Sequence, residues 1–523
     1  MTSEGAEPHL PPGPRPTQVR RGRRGKEGES PNRKVDYRRL RNPFKPQTVF
    51  SDDRIAAIHQ TALRVLEELG MRVLLPEARQ RFREFGALVD EDAMTVRIGR
   101  DIVEAAVASA PRAFEVRGAV TERDVPLELG VLAFQVGAGS PNATDIVRGR
   151  RPSTLGDFED LVRISQHYDA LQMLSMGVEA QDVPTHLRHY GVLRAELTLS
   201  DKVPYAFARS TRQTRDCHEM IRIMRGLTED EFRAAPYCMT VINTNSPRQL
   251  DIPMAQGIID FAWAGQPSIV TPFCLMGAMA PVTVAGALTL SHAEALAGIA
   301  LSQIVRPGAP VCYGAFASNV DMKSGAPAFG TPEEVKANLG AGQLARLVGL
   351  PWRCAAGCAA NVNDAQAAHE TEMSAWGSVL AGATIIKHAA GWLEGGLTVS
   401  FEKLITDLEM VQTFAELCRP TPADDDDIAF DALGEVQPGG HFFAAAHTMK
   451  RYQTAFYEPI VADWSNFGTW TERGARDATR RAHDVWTRIV AEFRPPPVDP
   501  ARVEELDAFI AARTKAGGAP PVS

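Results

Sequence analysis

Aromatic side chains near the carboxyl ends of short apolar runs are the strongest chemical signal in this sequence. The face of an aromatic ring attracts a cation, and a desolvated contact with a quaternary ammonium is worth about 2 kcal/mol. Lys and Arg are scarce at the same positions, so a cation or a neutral polar molecule is favoured over a phosphate ester. The alternative is that each ring fills the core. The candidate rings are Phe273, Tyr313, Phe316 and Trp392.

Polar side chains at equivalent positions add possible hydrogen-bonding and acid–base groups. His388 ends a very apolar run, where its imidazole could donate to a carboxylate or act as an acid, or simply be satisfied by its neighbours. Strand alternation predicts that Lys387 points the opposite way, into the helix layer or its rim. The other polar candidates are Asn245, Asn361 and Asp364.

Metal and cofactor motifs are weak. Cys354 and Cys358 lie four residues apart near His369, but zinc needs three or four convergent ligands, so no metal is expected. Residues 388–391 match part of an Asp-x-His-x-x-Gly cobalamin signature, yet Ile386 replaces its Asp, so no corrinoid domain is predicted in this chain. The sequence has no Gly-x-Ser-x-Gly elbow, P-loop or His-Glu-x-x-His motif.

Eight short apolar runs would position these side chains, and they start about 30 to 42 residues apart with amphipathic segments between them. Such alternation predicts an α/β fold, specifically a (β/α)8 TIM barrel, whose active site lies at the carboxyl ends of its strands. A doubly wound open sheet is the competing interpretation. The runs are 131–136, 171–176, 203–208, 237–242, 268–275, 310–317, 351–356 and 383–388.

Composition and periodicity predict the regions that lie outside the barrel. Residues 1–50 are predicted to be a disordered basic arm rich in Pro and Arg, because they contain too few aliphatic residues to offset ordering entropy. Residues 51–130 are predicted to form a helical lead-in, with helices over 52–70, 76–85 and 100–109. The barrel is assigned to 131–420 and a packed C-terminal extension to 421–523.

Overall composition narrows the class and the compartment. The chain of 523 residues is 44% hydrophobic and 23% charged with a net charge of −8, which excludes a fibrous or wholly disordered protein. Seven sparse cysteines indicate reduced thiols and a cytoplasmic location. No nucleic-acid partner is expected from the acidic balance. The uncharged stretch 261–293 is interrupted by prolines and glycines, so no membrane span is predicted.

Several short segments together resemble the trimethylamine:corrinoid methyltransferase family. Asp364-Ala365-Gln366-Ala367-Ala368-His369-Glu370 is similar to the family's Asp-x-Gln-Ala-x-x-Glu region. The resemblance covers about residues 50 to 490, with its segments in the family's order. The other similar segments are 243–247, 391–397, 400–403, 439–442 and 447–448.

The resemblance implies a (β/α)8 barrel that passes a methyl group to a cobalamin, or related corrinoid, supplied by a partner protein. Namesake members use pyrrolysine near the seventh strand, whereas residues 354–364 here hold only standard amino acids. This chain therefore resembles the glycine betaine methyltransferases, which act on a quaternary amine. A homo-oligomer is also expected.

Site roles can be assigned on this basis. Tyr313, Phe316 and Trp392 would bind the cation with Phe273 and Asn245, His388 would bind a carboxylate, and Asn361 and Asp364 would shape the catalytic loop. Two alternatives remain open at this point: a barrel lyase or hydrolase with Asp364 or Glu370 as base, and a non-catalytic betaine-binding module.

Overall fold

Two compact units divide the chain in the computed structural model, which describes residues 35–137 and 139–522. Asp36–Pro422 and Glu458–Ser523 make up the larger unit, and residues 423–457 group apart from it. Most of the predicted N-terminal arm, residues 1–34, lies outside the described residues.

The larger unit is a mixed α/β structure. Its strands are β1 (Leu40–Arg41), β2 (Met71–Val73), β3 (Leu88–Asp90), β4 (Thr95–Arg97), β5 (Phe114–Val116), β6 (Val125–Leu127), β7 (Val131–Phe134), β8 (Asn142–Thr144), β9 (Arg151–Pro152), β10 (Thr240–Ile242), β11 (Gln249–Leu250), β12 (Ser268–Val270), β13 (Phe273–Met276), β14 (Val311–Gly314), β15 (Phe316–Val320), β16 (Pro327–Ala328), β17 (Trp352–Ala355), β18 (Ile385–Lys387), β19 (Trp392–Leu393) and β20 (Thr398–Ser400).

The helices before residue 423 are α1 (Asp52–Arg64), α2 (Pro76–Glu84), α3 (Arg100–Ser109), α4 (Leu155–His167), α5 (Arg188–Leu199), α6 (Thr211–Arg225), α7 (Glu229–Ala234), α8 (Ile252–Ala264), α9 (Val284–Val305), α10 (Pro332–Val348), α11 (Ala365–Leu380) and α12 (Phe401–Leu417). The remaining helices are α13 (Asp425–Ile428), α14 (Phe430–Glu435), α15 (Ala446–Arg451), α16 (Phe467–Glu472), α17 (Ala478–Glu492) and α18 (Pro500–Lys515).

A seven-stranded sheet in the order β1-β7-β18-β17-β14-β12-β10 forms the centre of the larger unit. All its pairs are parallel except β1–β7. Successive parallel strands need crossover connections, and α9, α10 and α11 provide them between β12 and β18. Side chains from several segments meet in one buried cluster, and we call that side of the sheet the inner face: Ala133, Met173, Val203, Met239, Ile269, Cys312 and Ile385.

Two of the predicted strands, 171–176 and 203–208, do not form continuous ladders. They contribute single parallel bridges, Met173 to Val203 and Tyr205 to Met239. Between β7 and residues 172–174, glutamine side chains supply the hydrogen bonds: Phe134 N donates to Gln172 Oε1 at 2.8 Å, and Gln135 Nε2 donates to the Leu174 carbonyl at 2.7 Å. Side-chain bonding of this kind replaces backbone pairing, which apolar periodicity alone does not reveal.

Helix boundaries follow capping residues in the sequence. Side chains of Thr154, Ser210, Thr331 and Ser400 each accept a backbone N–H at the start of a helix. Glycines at 226, 265 and 349 end helices in the left-handed conformation. These local signals set the ends of helices α4, α6, α8, α10 and α12.

Helix α9 is long and apolar enough to cross a membrane by length and composition alone. Its residues from Ala287 to Val305 are nearly all buried, however, and it packs against α1, α3, α8 and α10. The helix is therefore apolar because it lies in the core of the larger unit.

The segments flanking the central sheet contain more structure than predicted. The lead-in includes β2 to β6 besides helices α1 to α3, and the chain continues past Arg64 as a π-helical turn, Val65–Leu69. In the C-terminal extension, Trp486 and His483 of α17 contact Glu402 of α12 at 3.1 and 2.8 Å. Residues 423–457 contain α13 to α15, with Asp426 bonded to Lys450 and Arg451.

Residues 36–50 correct the prediction of a disordered arm that reaches residue 50. Leu40 pairs with Leu132 across β1 and β7 and is 5% exposed. Gln343 of α10 accepts backbone N–H groups from Val49 and Phe50 at 3.0 and 3.1 Å. The buried Leu40, the partly buried rings of Tyr37, Phe44 and Phe50, and several backbone hydrogen bonds hold this segment in place, although its low aliphatic content predicts disorder.

We expect Leu40→Ala to lower the free energy of unfolding by about 2–5 kcal/mol, because it removes a buried side chain and leaves a cavity. Arg41→Ala is the matched control on the same strand, since the Arg41 side chain is 68% exposed. Its effect should stay below about 1 kcal/mol. Denaturant unfolding of both variants measures the difference, and equal effects would show that β1 adds nothing to the core.

Candidate active site

Four aromatic rings form a cluster at the ends of strands from different parts of the chain. We call Phe273, Phe316, Phe329 and Trp392 the aromatic cluster. The ring centroids of Phe316 lie 4.8 Å from Phe273, 5.7 Å from Phe329 and 5.9 Å from Trp392. Phe316, Phe329 and Trp392 are buried and Phe273 is half-buried. The sequence identified three of these rings and missed Phe329, which follows β16 and not one of the eight predicted runs.

Strand register and close-packed glycines position the rings. Phe273 and Phe316 are direct partners across β13 and β15, so their side chains lie side by side. A Cβ on Gly357 would lie 2.3 Å from Phe329 Cδ1, and one on Gly396 would lie 2.3 Å from Trp392 Cζ2. Only glycine lets the backbone approach these two rings so closely.

His388 joins the aromatic cluster as a neutral imidazole. Its ring stacks on Trp392 with centroids 4.3 Å apart and planes 12° apart. Arg353 Nη2 lies 2.9 Å from His388 Nε2, and because arginine can only donate, Nε2 must be unprotonated. Burial, with the adjacent Arg353 and Lys387 charges, lowers the pKa of His388 well below its usual range. The proton is therefore on Nδ1.

Arg353 is the main site residue that sequence reasoning missed. It lies on β17 in register with Ile385, so it is on the inner face, and it is 2% exposed. Its guanidinium carbon lies 5.2 Å from the centroid of the Phe316 ring. Burial lowers the pKa of Arg353 to about 10, so the group is still charged near neutral pH. The available signal was a charged residue within the apolar run 351–356.

Lys387 is also on the inner face, which corrects its predicted position in the helix layer. It shares the face of Ile385 by strand alternation, and its Nζ lies 4.9 Å from the centre of the Tyr205 ring. Burial lowers the pKa of Lys387 to about 7. The backbone of His388 has a φ of +60°, so the regular alternation ends there and does not place His388 in the helix layer.

Several buried donors in this region have no hydrogen-bond partner. They are Arg353 Nε and Nη1, Trp392 Nε1 and the protonated Nδ1 of His388. An unpaired buried polar group costs about 1–3 kcal/mol, so a contiguous set of them calls for an explanation. Because all of these atoms donate, the complementary ligand group is an acceptor such as a carboxylate.

A buried ion pair holds the loop that carries His388 and Trp392. Asp407 Oδ2 accepts from the Gly391 backbone N–H at 2.8 Å, and Lys403 Nζ donates to Asp407 Oδ1 at 2.7 Å. Lys403 also donates to Thr371 Oγ1 at 2.8 Å. Helices α11 and α12 thereby fix the loop from behind.

The structure does not bring the other predicted residues to the aromatic cluster. Tyr313 is fully buried on the opposite side of its strand, with its hydroxyl 3.1 Å from His292 Nδ1. Asp364 caps helix α11 by accepting from the backbone of Gln366 and Ala367. Asn245 donates to Asp251 at 3.2 Å in an exposed loop, and Asn361 is exposed. Strand parity and helix capping, which short apolar runs do not resolve, account for these differences.

Within residues 35–137 and 139–522, no group of three or more His, Cys, Asp or Glu side chains could hold a metal ion. Cys354 and Cys358, the two cysteines whose spacing suggests zinc ligands, are both buried, and burial raises the pKa of their thiols. Thiolate is the form that binds zinc, so this environment disfavours ligation.

The aromatic cluster lies beside unpaired buried donors. This α/β protein therefore has a candidate site for a small organic molecule that carries both a cationic group and a hydrogen-bond acceptor. Comparison with known proteins places it more closely. The chain is 33% identical over 473 residues to a glycine betaine methyltransferase of Desulfitobacterium hafniense, covering 90% of this chain and 98% of the relative. It is 30% identical to a trimethylamine methyltransferase of the same species, covering 86% and 90%.

The profile of the trimethylamine methyltransferase (MTTB) family matches residues 18–518, and the chain belongs to that family. The resemblance found in the short motifs is thereby confirmed. Among solved structures, the monomethylamine methyltransferase of Methanosarcina barkeri aligns with a TM-score of 0.48 and 8% identity, covering 88% of each chain.

We expect Gly396→Ala to displace the Trp392 indole, because the added Cβ would overlap the ring and the backbone φ is +102°. Gly86→Ala is the matched control: its φ is +94°, but an added Cβ meets nothing within 4 Å. Both variants therefore have the same kind of backbone strain, but only Gly396→Ala adds a clash with the indole. Gly396→Ala should cost about 1–3 kcal/mol more in unfolding free energy. Equal losses would mean that the indole is not confined by Gly396.

Proposed function

We propose that this protein transfers a methyl group from a betaine-type quaternary amine to the Co(I) corrinoid of a separate partner protein. The observation that carries the proposal is the aromatic cluster beside the buried donors of Arg353 and His388. Rings attract the quaternary ammonium, and the guanidinium and imidazole bind the carboxylate. Sequence identity of 33% to a glycine betaine methyltransferase supports the same substrate class.

The reaction requires the protein only to position the substrate and to exclude water from the reacting atoms. Co(I) supplies the electron pair for the new bond to carbon, and the pair of the breaking N–C bond stays on nitrogen. The leaving group is a neutral tertiary amine, so no acid is required. Holding the N–CH3 bond in line with the acceptor can contribute about 7–11 kcal/mol in favourable cases. Burial of Phe316, Phe329 and Trp392 keeps water from the reacting carbon.

The proposal assigns a role to each residue of the site, and the geometry supports these roles. Phe316, Phe329 and Trp392 form the wall for the cation, with Phe273 at its half-buried side. Arg353 takes the carboxylate role first assigned to His388 alone, with His388 Nδ1–H as a second donor. Asp407 is a positioning residue through Gly391. The corrinoid is a substrate brought by the partner.

A (β/α)8 barrel is part of this proposal. The seven-stranded sheet contains six of the eight predicted runs, and the bridges at Met173 and Tyr205 link the other two in sequence order. Hydrogen bonds from Phe134 and Gln135 reach residues 172–174, where a barrel would close. A cytoplasmic location, the domain limits and a homo-oligomeric state remain predictions.

The lyase or hydrolase alternative finds less support. Its proposed bases are engaged with the backbone: Asp364 caps α11, and Glu370 Oε2 accepts from Ala359 and Ala360 at 2.7 and 2.9 Å. These carboxylate oxygens already accept hydrogen bonds that hold the local backbone, which gives both side chains a structural role.

We expect methyl transfer from glycine betaine or carnitine and none above background from trimethylamine. A protonated trimethylamine must lose its proton first, and no residue in 354–364 can form a covalent adduct with it. The assay mixes the protein with Co(I) cobalamin and each amine under identical reducing conditions and follows the cobalt absorbance. Ligand binding without any cobalt methylation would favour the non-catalytic module. Trimethylamine turnover at the rate of the best betaine would contradict the proposal.

We expect Arg353→Met to weaken glycine betaine binding at least about thirtyfold, since truncating one partner of a buried charge pair costs 2–5 kcal/mol or more. Choline has the same quaternary nitrogen but no carboxylate, so the preference for betaine over choline should disappear in the variant. Removing the buried charge relieves its desolvation cost but leaves His388 Nε2 without its donor, so the melting temperature should change little.

Arg346→Met is the matched control for the same substitution. Arg346 is on α10, where it donates to the Ala381 carbonyl at 2.6 Å, and it does not contact the aromatic cluster. Betaine affinity should be unchanged in this variant. If Arg353→Met retained its preference for betaine, the carboxylate would have to bind elsewhere.

A further inference from the structure

A cavity of 630 Å³ opens between α6, α7, α8 and α18 and shares no residue with the aromatic cluster. Its volume lies within the range of small-molecule sites. Four rings line it: His218, Phe232, Trp263 and Phe509. Four arginines and several acidic side chains complete the walls, so the lining combines flat apolar surfaces with charges of both signs.

Buried polar atoms in this lining have no partner. His218 is 8% exposed and its Nε2 is unpaired, while the ring packs on Phe232 and Phe261 at 5.2 and 4.9 Å. Burial lowers the pKa of His218 to about 3, so the imidazole is neutral. Asp260 Oδ2 is also unpaired, although Oδ1 accepts from Gln256 at 3.2 Å. Hydrogen-bonding capacity is therefore left unused deep in the cavity.

The charges are unevenly compensated. Arg222 pairs with Glu219 at 2.7 Å, Arg233 with Glu229 at 3.9 Å and Arg513 with Asp216 at 3.0 Å. Arg215 makes no hydrogen bond or ion pair within the described part of the chain, but its charge acts on Asp260 and partly offsets the burial that raises the pKa of that carboxyl to about 6. The cavity therefore offers one available guanidinium near its exposed side, and a free carboxylate oxygen and imidazole nitrogen in its interior.

We propose that this cavity binds a mononucleotide, a phosphate joined to a planar base that carries N–H groups. The Arg215 guanidinium matches phosphate oxygens. The Trp263 ring, which is 45% exposed, provides a surface for a base, and Asp260 Oδ2 accepts from its N–H groups. A ligand with both features uses the unpaired cation and the unpaired acceptor at once, whereas inorganic phosphate or a nucleoside uses only one.

Titration calorimetry and thermal shift on the full chain test this site with AMP, adenosine and inorganic phosphate as probes. AMP should bind at least about tenfold tighter than either part, because both contacts contribute. Arg215→Ala should weaken AMP about tenfold and leave adenosine unchanged. Trp263→Ala should weaken both AMP and adenosine. Arg212→Ala is the matched control, an exposed arginine on the same helix that does not line the cavity.

Several outcomes would overturn the proposal. They are the absence of any AMP binding at millimolar concentration, phosphate binding as tightly as AMP, and an Arg212→Ala effect equal to that of Arg215→Ala. Methyl transfer from betaine without nucleotide does not bear on this site, so the proposed function and the nucleotide site fail independently.

Discussion

A positive charge held on the buried inner face without a carboxylate partner is the interaction on which the site depends. Within the described ranges Arg353 forms no ion pair, and its one side-chain hydrogen bond is to His388. Burying an uncompensated charge costs several kcal/mol, and arginine stays ionised where lysine would lose its proton. Lys387, on the same face, shows the difference, because burial lowers its pKa to about 7. A ligand carboxylate would supply the missing charge.

That charge determines the state of its neighbours. The guanidinium fixes the tautomer of His388, and the neutral imidazole can then stack on Trp392 without a counter-ion of its own. His388 reaches this place only through a left-handed backbone, with φ at +60°, which costs about 1–3 kcal/mol. Asp407 and Lys403 stabilise the strained loop through Gly391. The strained backbone at His388 is thus what places its imidazole against Trp392 and Arg353.

Regular patterns in the sequence predicted much of the fold and only part of the site. Strand and helix periodicity located the crossover helices α9 to α11, since burial and capping are local properties. The link between β7 and residues 172–174 depends on the side chains of Gln135 and Gln172, which periodicity ignores. Lys387 was placed in the helix layer because alternation was counted from His388, whose left-handed backbone ends the alternation. Tyr313 lies opposite the inner face because it follows Cys312, and an apolar run alone does not tell which residues face inward. Arg353 was missed because its role depends on what surrounds it after folding.

The balance of charge on the inner face also explains why a zwitterion fits better than a simple ammonium. Two unit charges 5 Å apart interact by about 3 kcal/mol at an effective dielectric constant of 20. Protonated trimethylamine would meet that repulsion from Arg353, which cancels the gain from one or two cation–π contacts of about 2 kcal/mol each. A betaine carboxylate reverses the sign of the Arg353 interaction while its quaternary nitrogen retains the ring contacts. The protein can then distinguish a betaine from protonated trimethylamine by charge, without a residue that recognises the methyl groups.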